Sequence, residues 1–295
     1  MKKKKILITG ADGQLGSNLS AMLSGKFYSI PTSRKNKDIP YCLDITDRTT
    51  MKSLLKEWDP DVIINCAAMT NVDYCENNRK ECFDVNVKGL QNLISLSKKN
   101  TFFIQLSTDY IFDGKAFPYC ENDFPSPLNY YGHSKLEAEN ILRGSRRKYL
   151  IIRPNAIYGQ NITYNTFFSW VYKSLIDKKI IDVVDDQISN PSFVDNLSDL
   201  IFKSLLLNFE GIIHHGSSDK ISRYQFARLI AKVYGLNANF IKPISSSNLI
   251  NKNKSYVAKR PLNSTLMIDK SEKILNAQIL STEYSLNIIK KQMQK

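Results

Sequence analysis

Apolar and polar positions run through the first half of the chain in two alternating rhythms. Short runs rich in Ile, Val, Leu and Phe read as strands: Lys4–Thr9, Phe27–Pro31, Asp61–Cys66, Thr101–Leu106 and Tyr149–Ile152. Between them, Gln14–Leu23, Thr46–Trp58, Arg79–Lys98 and Tyr131–Leu142 carry the three-to-four-residue spacing of amphipathic helices. Strands that alternate with helices imply βαβ units, so the expected fold is α/β, a doubly wound parallel sheet with helices on both faces. After residue 154 the rhythm loosens. Proline and polar residues cluster at Asp185–Ser192, Lys242–Asn248 and Lys259–Ser264, with helices expected at Tyr164–Ile176, Val194–Leu207 and Ser222–Tyr234. The pattern divides the chain into a sheet domain over residues 1–154 and a smaller lobe over residues 155–295, the chain being free to cross back to the sheet.

Composition narrows the class. The 295 residues are 42% hydrophobic and 23% charged, which suits a globular protein and excludes a disordered or fibrous one. Lys or Arg interrupts the longest apolar stretches, and none approaches the ~20 apolar residues of a membrane span. The basic start Met1–Lys5 is followed only by Ile6-Leu7-Ile8, too short for the apolar core of a signal peptide, so the expected location is cytoplasmic. Lys and Arg number 41 against 28 Asp and Glu, a net charge of +13 that attracts anions. The lysines are scattered along helices, as at Lys98-Lys99 and Lys178-Lys179, and no helix-turn-helix, zinc-finger or aromatic RNA-binding pattern accompanies them; neither nucleic acid nor membrane is the expected partner. The five cysteines form no C-x-x-C pair and read as free thiols. His214 and His215 lie in a strand-like run apart from His133, so no metal site is expected.

Candidate chemistry begins at Gly10-Ala11-Asp12-Gly13-Gln14-Leu15-Gly16, between the first strand and the first helix. Glycines at this position let backbone approach a pyrophosphate held at a helix N-terminus, which makes the sheet Rossmann-type and residues 1–154 its NAD(P)-binding part. After the second strand a dinucleotide site for NAD would carry an acidic residue; this chain has Thr32-Ser33-Arg34-Lys35. A hydroxyl and a cation suit a 2′-phosphate, so Ser33 and Arg34 favour NADPH over NADH, the alternative being exposed loop charges. Asp44 and Ile45 are placed to border the adenine; Asp44 alternatively caps the helix starting near Thr46.

Tyr131 and Lys135 are spaced i, i+4, on one face of a helix. A phenol titrates near ~10, and a neighbouring ammonium stabilises its phenolate. Such a pair passes a proton to a carbonyl oxygen as hydride reaches the carbon. Leu106 ends the fourth of the main strands and Ser107-Thr108-Asp109 follows at the carboxyl edge of the sheet, where the Thr108 hydroxyl is the candidate to polarise that carbonyl.

With these pieces in place the chain resembles the extended short-chain dehydrogenase/reductases, and more narrowly the dTDP-4-dehydrorhamnose reductase family. The resemblance rests on residues 9–16, Asn65-Cys66-Ala67-Ala68, residues 107–114 (STDYIFDG), residues 131–139 (YGHSKLEAE), Asp186-Gln187 with Pro191, and Arg260-Pro261 with Ser264 and Leu266. It implies Thr108, Tyr131 and Lys135 as catalytic triad. Gly13, Gln14 and Leu15 would lie on the pyrophosphate, Ala67, Ala68 and Met69 along ribose and nicotinamide, and Thr108 and Asp109 on the sugar. The implied reaction is reduction of the C4 ketone of a nucleotide-linked 4-keto-6-deoxyhexose, a step of deoxysugar and polysaccharide biosynthesis. Three departures stand on the substrate side. Ala156 replaces a tryptophan of the family's pocket, and Ser189 and Ser192 replace a glycine and a threonine, so a different sugar or nucleotide is an alternative. An epimerase-reductase would need a further acid–base group, for which Cys75, Cys120 and His133 are the candidates if they line the pocket. A non-catalytic alternative is an NADP-binding regulatory subunit like the methionine adenosyltransferase β subunit.

Other residues have two readings each. Asn86 orders the catalytic strand or makes an interior hydrogen bond. Arg260 reaches a diphosphate or forms a structural ion pair. His133 reads as helix surface or pocket rim, Cys66 and Phe167-Phe168-Trp170 as core. Glu137 and Glu139 read as a solvated helix face, or as a face packed against a second copy in a homodimer.

Overall fold

The computed structural model describes residues 3–35, 38–252, 258–276 and 279–294; Met1-Lys2 of the basic start lie outside the described residues. Seven parallel strands form the main sheet: β1 (Lys5–Thr9), β2 (Tyr28–Ser33), β3 (Tyr41–Cys42), β4 (Val62–Asn65), β5 (Phe102–Leu106), β6 (Tyr149–Pro154) and β7 (Gly211–His215). Their order is β7-β6-β5-β4-β1-β2-β3. The order reverses between β1 and β4, and in open α/β sheets ligands lie outside the carboxyl ends of the strands at such a reversal.

Strand periodicity sorts side chains onto two cores. Ile6, Ile8, Val62, Ile64, Ile104, Leu106, Leu150 and Ile152 face one layer. Leu7, Ile63, Phe103 and Ile151, one residue out of phase, face the other. All are buried, so the central strands are apolar on both faces, which is why they read as continuous runs.

The helix boundaries follow local caps. Gln14–Leu23 and Val194–Leu207 form as the pattern predicts. The helix expected from Thr46 starts at Arg48, because the Asp47 carboxylate accepts from the Thr49 and Thr50 N–H groups; Asp47, not Asp44, is the cap. Arg79–Leu96 is helical throughout but contains a π turn at Asp84–Lys88. The helix of the Tyr-Lys pair runs Tyr130–Gly144, capped by Asn129.

Beyond β6 the chain adds two-stranded pairs, Ile157–Tyr158 with Ser192–Phe193 and Ile181–Val184 with Ile241–Ile244 among them. It also returns to the sheet: β7 pairs with β6 from Gly211↔Leu150 to His215↔Pro154. Helix Val194–Leu207 packs on Gln14–Leu23, where Asn18 donates to Asp195 at 2.7 Å.

Candidate active site

The site is built on the strand ends at the reversal. The chain leaves β1 through Gly10, at φ +63°. A Cβ at Gly10 would stand 2.8 Å from the Ala67 amide nitrogen, and one at Gly16 would stand 2.2 Å from the Gly10 carbonyl oxygen. Neither position admits a side chain, so the turn lies directly on the segment leaving β4. Gly13 caps the following helix without a side-chain acceptor, and the buried Gln14 Oε1 has no hydrogen-bond partner among the described residues. First-turn N–H groups, which a helix leaves without partners of its own, and an unanswered amide oxygen are what a bound pyrophosphate and ribose would meet.

A cleft of about 820 Å³ opens over these strand ends. It brings together Gly10, Gly13, Gln14, Leu15 and Gly16 with Ala68, Leu106, Thr108, Asp109, Tyr131, Lys135, Ala156 and Arg260. Asp12, Ser33, Arg34, Asp44, Ile45, Ala67 and Met69 are not on its lining. Ile45 is 4% exposed and sits in the core, so close to Gly89 that a Cβ there would meet its Cδ1 at 2.5 Å. Ser33, Arg34 and Asp44 lie at the ends of β2 and β3: Arg34 Nη1 stands 4.0 Å from Asp44 Oδ2, while Asp44 Oδ1 accepts from the Thr46 N–H at 2.8 Å.

On the cleft wall, Tyr131 and Lys135 are buried on one face of their helix. Burial pushes the Tyr131 phenol well above its usual range, and the Thr108 hydroxyl opposes that rise. Burial brings the Lys135 ammonium down to about 8; the Glu139 carboxylate is the largest opposing influence. Thr108 donates to Asp109 Oδ1 at 3.1 Å and accepts from the Tyr110 N–H at 3.2 Å. Burial raises the Asp109 carboxyl to about 6 against the Ser264 hydroxyl, which donates to Oδ2 at 2.6 Å.

Asn86, on the π turn, accepts from the Met69 N–H at 2.8 Å and donates to the Met69 carbonyl at 3.1 Å. It therefore orders the segment after β4 rather than the β5 strand end. Arg260 lines the cleft and is held by Asp73, Nη1 to Oδ1 at 3.2 Å and Nη2 to Oδ2 at 2.5 Å.

Several readings of the sequence are corrected. Glu139 is not on a solvated face; it is 0% exposed, whereas Glu137 on the same helix is exposed. Cys66 packs on the core as read, and is also half-buried on the cleft wall, where burial pushes its thiol up to about 12. Phe168 is core, but Phe167 and Trp170 line the cleft. Their helix buries Phe168, Val171 and Leu175; Trp170 falls on the opposite side, and Phe167, at the edge between, also packs on the core. Ser189 and Ser192 do not reach the cleft: Ser189 lies in a short strand pair, and Ser192 Oγ donates to the His215 carbonyl at 2.9 Å. Cys75, Cys120 and His133 are also off the lining. Arg223, Gln187, Asn165 and Asp182 were not read as site residues and do line it.

Comparison with known proteins bears on what this cleft belongs to. The family model described as the RmlD substrate binding domain matches residues 4–294. A dTDP-4-dehydrorhamnose reductase of Aggregatibacter actinomycetemcomitans is 30% identical over 289 residues, 93% of this chain and 94% of that protein. The chain belongs to the dTDP-4-dehydrorhamnose reductase family. It is accordingly an oxidoreductase with a Rossmann-type sheet, and a member of this family with Ala156 in its cleft. A solved structure of the dTDP-4-dehydrorhamnose reductase from Bacillus anthracis, in complex with NADP, superposes with a TM-score of 0.88 at 28% identity, covering 99% of this chain and 100% of that one. The β subunit of methionine adenosyltransferase 2 from Xenopus laevis is 26% identical over 281 residues, 92% of this chain and 82% of that one.

Proposed function

We propose that this chain reduces the C4 ketone of a nucleotide-linked 4-keto-6-deoxyhexose with NADPH. The observation that carries the reading is the convergence of Thr108, Tyr131 and Lys135, from a strand end and a helix, on the cleft that the glycine turn also lines. The glycine cradle and the unpartnered Gln14 Oε1 fit a dinucleotide. Gly10 and Gly13–Gly16 would take its pyrophosphate, Ala68 and Leu106 its ribose and nicotinamide side, and Ser33 and Arg34 the 2′-phosphate. The NADP held by the Bacillus anthracis reductase supports the choice of cofactor.

Bound nicotinamide would supply hydride to the ketone carbon. The protein's part is to polarise the oxygen and protonate it. The Thr108 hydroxyl hydrogen-bonds the ketone oxygen, and the Tyr131 phenol, kept protonated by burial, donates its proton as negative charge develops there. The Lys135 ammonium, four residues on, stabilises the phenolate left behind. Asp109 would hold a sugar hydroxyl. The stretch after residue 154 supplies Ala156, Phe167, Trp170, Gln187 and Arg223 to the same cleft and is read as the substrate side.

The regulatory reading gains no observation of its own, since all three triad residues reach the cleft. An epimerase-reductase is disfavoured by the absence of Cys75, Cys120 and His133 from the lining. The test is consumption of NADPH by the purified protein when a dTDP-4-keto-6-deoxyhexose is generated in situ. Stoichiometric appearance of the reduced sugar supports the reading. NADPH binding without turnover on a panel of 4-keto nucleotide sugars would overturn it.

A further inference from the structure

The triad leaves unexplained a charge buried one helical turn beyond Lys135. Glu139 is 0% exposed and Arg153 is 2% exposed. Arg153 grips the carboxylate with both prongs, Nε to Oε1 at 3.0 Å and Nη2 to Oε2 at 2.7 Å. The Ser107 hydroxyl donates to the same Oε1. Arg153 Nη1 donates to the Glu121 carbonyl at 3.1 Å, and its guanidinium lies over the Phe112 ring. For stability alone such a pair is a poor choice, because the cost of desolvating two charges cancels much of their attraction and apolar residues of like volume do as well.

Its location suggests another use. Ser107 directly precedes Thr108, and Glu139 follows Tyr131 and Lys135 on one helix. One carboxylate thus joins the strand end bearing Thr108, the helix bearing the Tyr-Lys pair, and β6 through Arg153. We propose that Glu139 is a positioning residue, which fixes Thr108 against the Tyr131 phenol through Ser107 and sets a carboxylate one helical turn from the Lys135 ammonium. The proposal rests on the reductase reading above.

The groups that face these residues are few. The groups whose charge acts on Lys135 are Glu139 on its own helix, Cys66 after β4, and Cys82 and Cys75. Glu139 meets Arg153 and Ser107. His214 Nε2 lies 3.4 Å from Arg153 and is neutral, burial holding its pKa down to about 3. Glu121 is answered by Lys270 at 3.5 Å. Glu139, one helical turn from Lys135 on the same helix, is the carboxylate that favours the Lys135 ammonium.

Two variants of the full chain test this, each read against wild type. Glu139→Gln keeps a hydrogen-bonding oxygen for Ser107 and removes the charge. The Lys135 ammonium, followed by NMR titration without substrate, should then lose its proton about half a pH unit to one unit lower, with NADPH affinity unchanged. An unmoved Lys135 titration overturns the charge role. Ser107→Ala removes one hydroxyl and leaves the ion pair intact, so it keeps the proposal testable if Glu139→Gln does not fold. It should lower kcat about tenfold at unchanged KM for NADPH, with Ser107→Thr restoring most of the loss. Full kcat in Ser107→Ala overturns the positioning role. Failure of the wild-type protein to turn over any nucleotide sugar would instead strike the reductase reading, leaving the titration to judge Glu139.

Discussion

Tyr110 ties Tyr131, on the helix, to Thr108, at the strand end, through its ring on one side and its backbone N–H on the other. Thr108 is in turn fixed by Asp109 and by the Tyr110 N–H, and Tyr131 by an edge-on contact with Tyr110 at 6.3 Å between ring centroids. Tyr131→Phe keeps that ring packing and deletes the proton. We expect roughly two to four orders of magnitude loss in kcat, with NADPH affinity within about twofold of wild type. Cofactor fluorescence titration and steady-state rates check the two halves; normal turnover by the variant removes the phenol from the mechanism.

Lys135 sets an alkaline limit. In the proposed mechanism its ammonium, lowered to about 8 by burial, would stabilise the Tyr131 phenolate only while protonated. As pH rises through about 8 the charge is lost, so kcat/KM, which reports the free enzyme, should fall above that point and be full below it. Lys135→Met should abolish that limb along with most of the rate. A profile flat to pH 9.5 in the wild-type protein contradicts this.

Much of this arrangement was legible in the chain because it is local. Gly10, Gly13 and Gly16 recur at a spacing that only a turn into a helix requires, and Tyr131 and Lys135 share a face by helical geometry alone. The two-faced apolar strands announced the parallel sheet. What stayed hidden depends on contacts far apart in sequence. Glu139 looks like any surface glutamate until Arg153 and Ser107 fold against it. Arg260 meets Asp73 across 187 positions. Trp170 carried a readable signal, since Phe168, Val171 and Leu175 use up the buried face of its helix. Ile45 shows why position after a strand is ambiguous, since its side chain packs in the core beside Gly89.

Arg34 tests the cofactor preference. Its side chain is half exposed and leans on Asp44 only at 4.0 Å, a distance at which a doubly charged phosphate is the stronger partner. Arg34→Ala should weaken NADPH about five- to tenfold and NADH by less than twofold, the modest size reflecting solvent screening. Isothermal titration with both cofactors decides it, and equal losses would remove the 2′-phosphate argument.

Trp170 tests the substrate side. Its indole is 40% exposed on the cleft wall, 5.7 Å from the Phe167 ring, and the Arg223 guanidinium lies 5.0 Å over Phe167. Ala156, which also lines the cleft, offers no such surface. A flat ring of the nucleotide sugar stacked on Trp170 gains about 1–3 kcal/mol. Trp170→Ala should therefore raise KM for the nucleotide sugar about five- to hundredfold while leaving NADPH affinity unchanged. If KM does not move, the indole is not part of the substrate site.

His215 tests the fold independently of catalysis. It ends β7 fully buried, and neither ring nitrogen has a hydrogen-bond partner among the described residues. Burial lowers its pKa to about 3 from the usual 6.5. Below pH 6.5 the unfolded chain takes up a proton that the folded chain refuses, so stability is full above 6.5 and falls as pH drops toward 3. His214 adds to the same fall, its Nδ1 directed at the Tyr119 carbonyl at 3.1 Å. Replacing His215 with leucine removes two unsatisfied polar atoms from the core, which should stabilise the protein by about 1–3 kcal/mol at pH 7.5 and raise Tm by a few degrees. The gain should widen at pH 5, because the variant no longer carries this histidine's share of the acid loss. Thermal melts at the two pH values check both statements. A His215→Leu protein that melts below wild type at each pH would mean that the imidazole has a partner, such as a bound water, worth more than its burial costs.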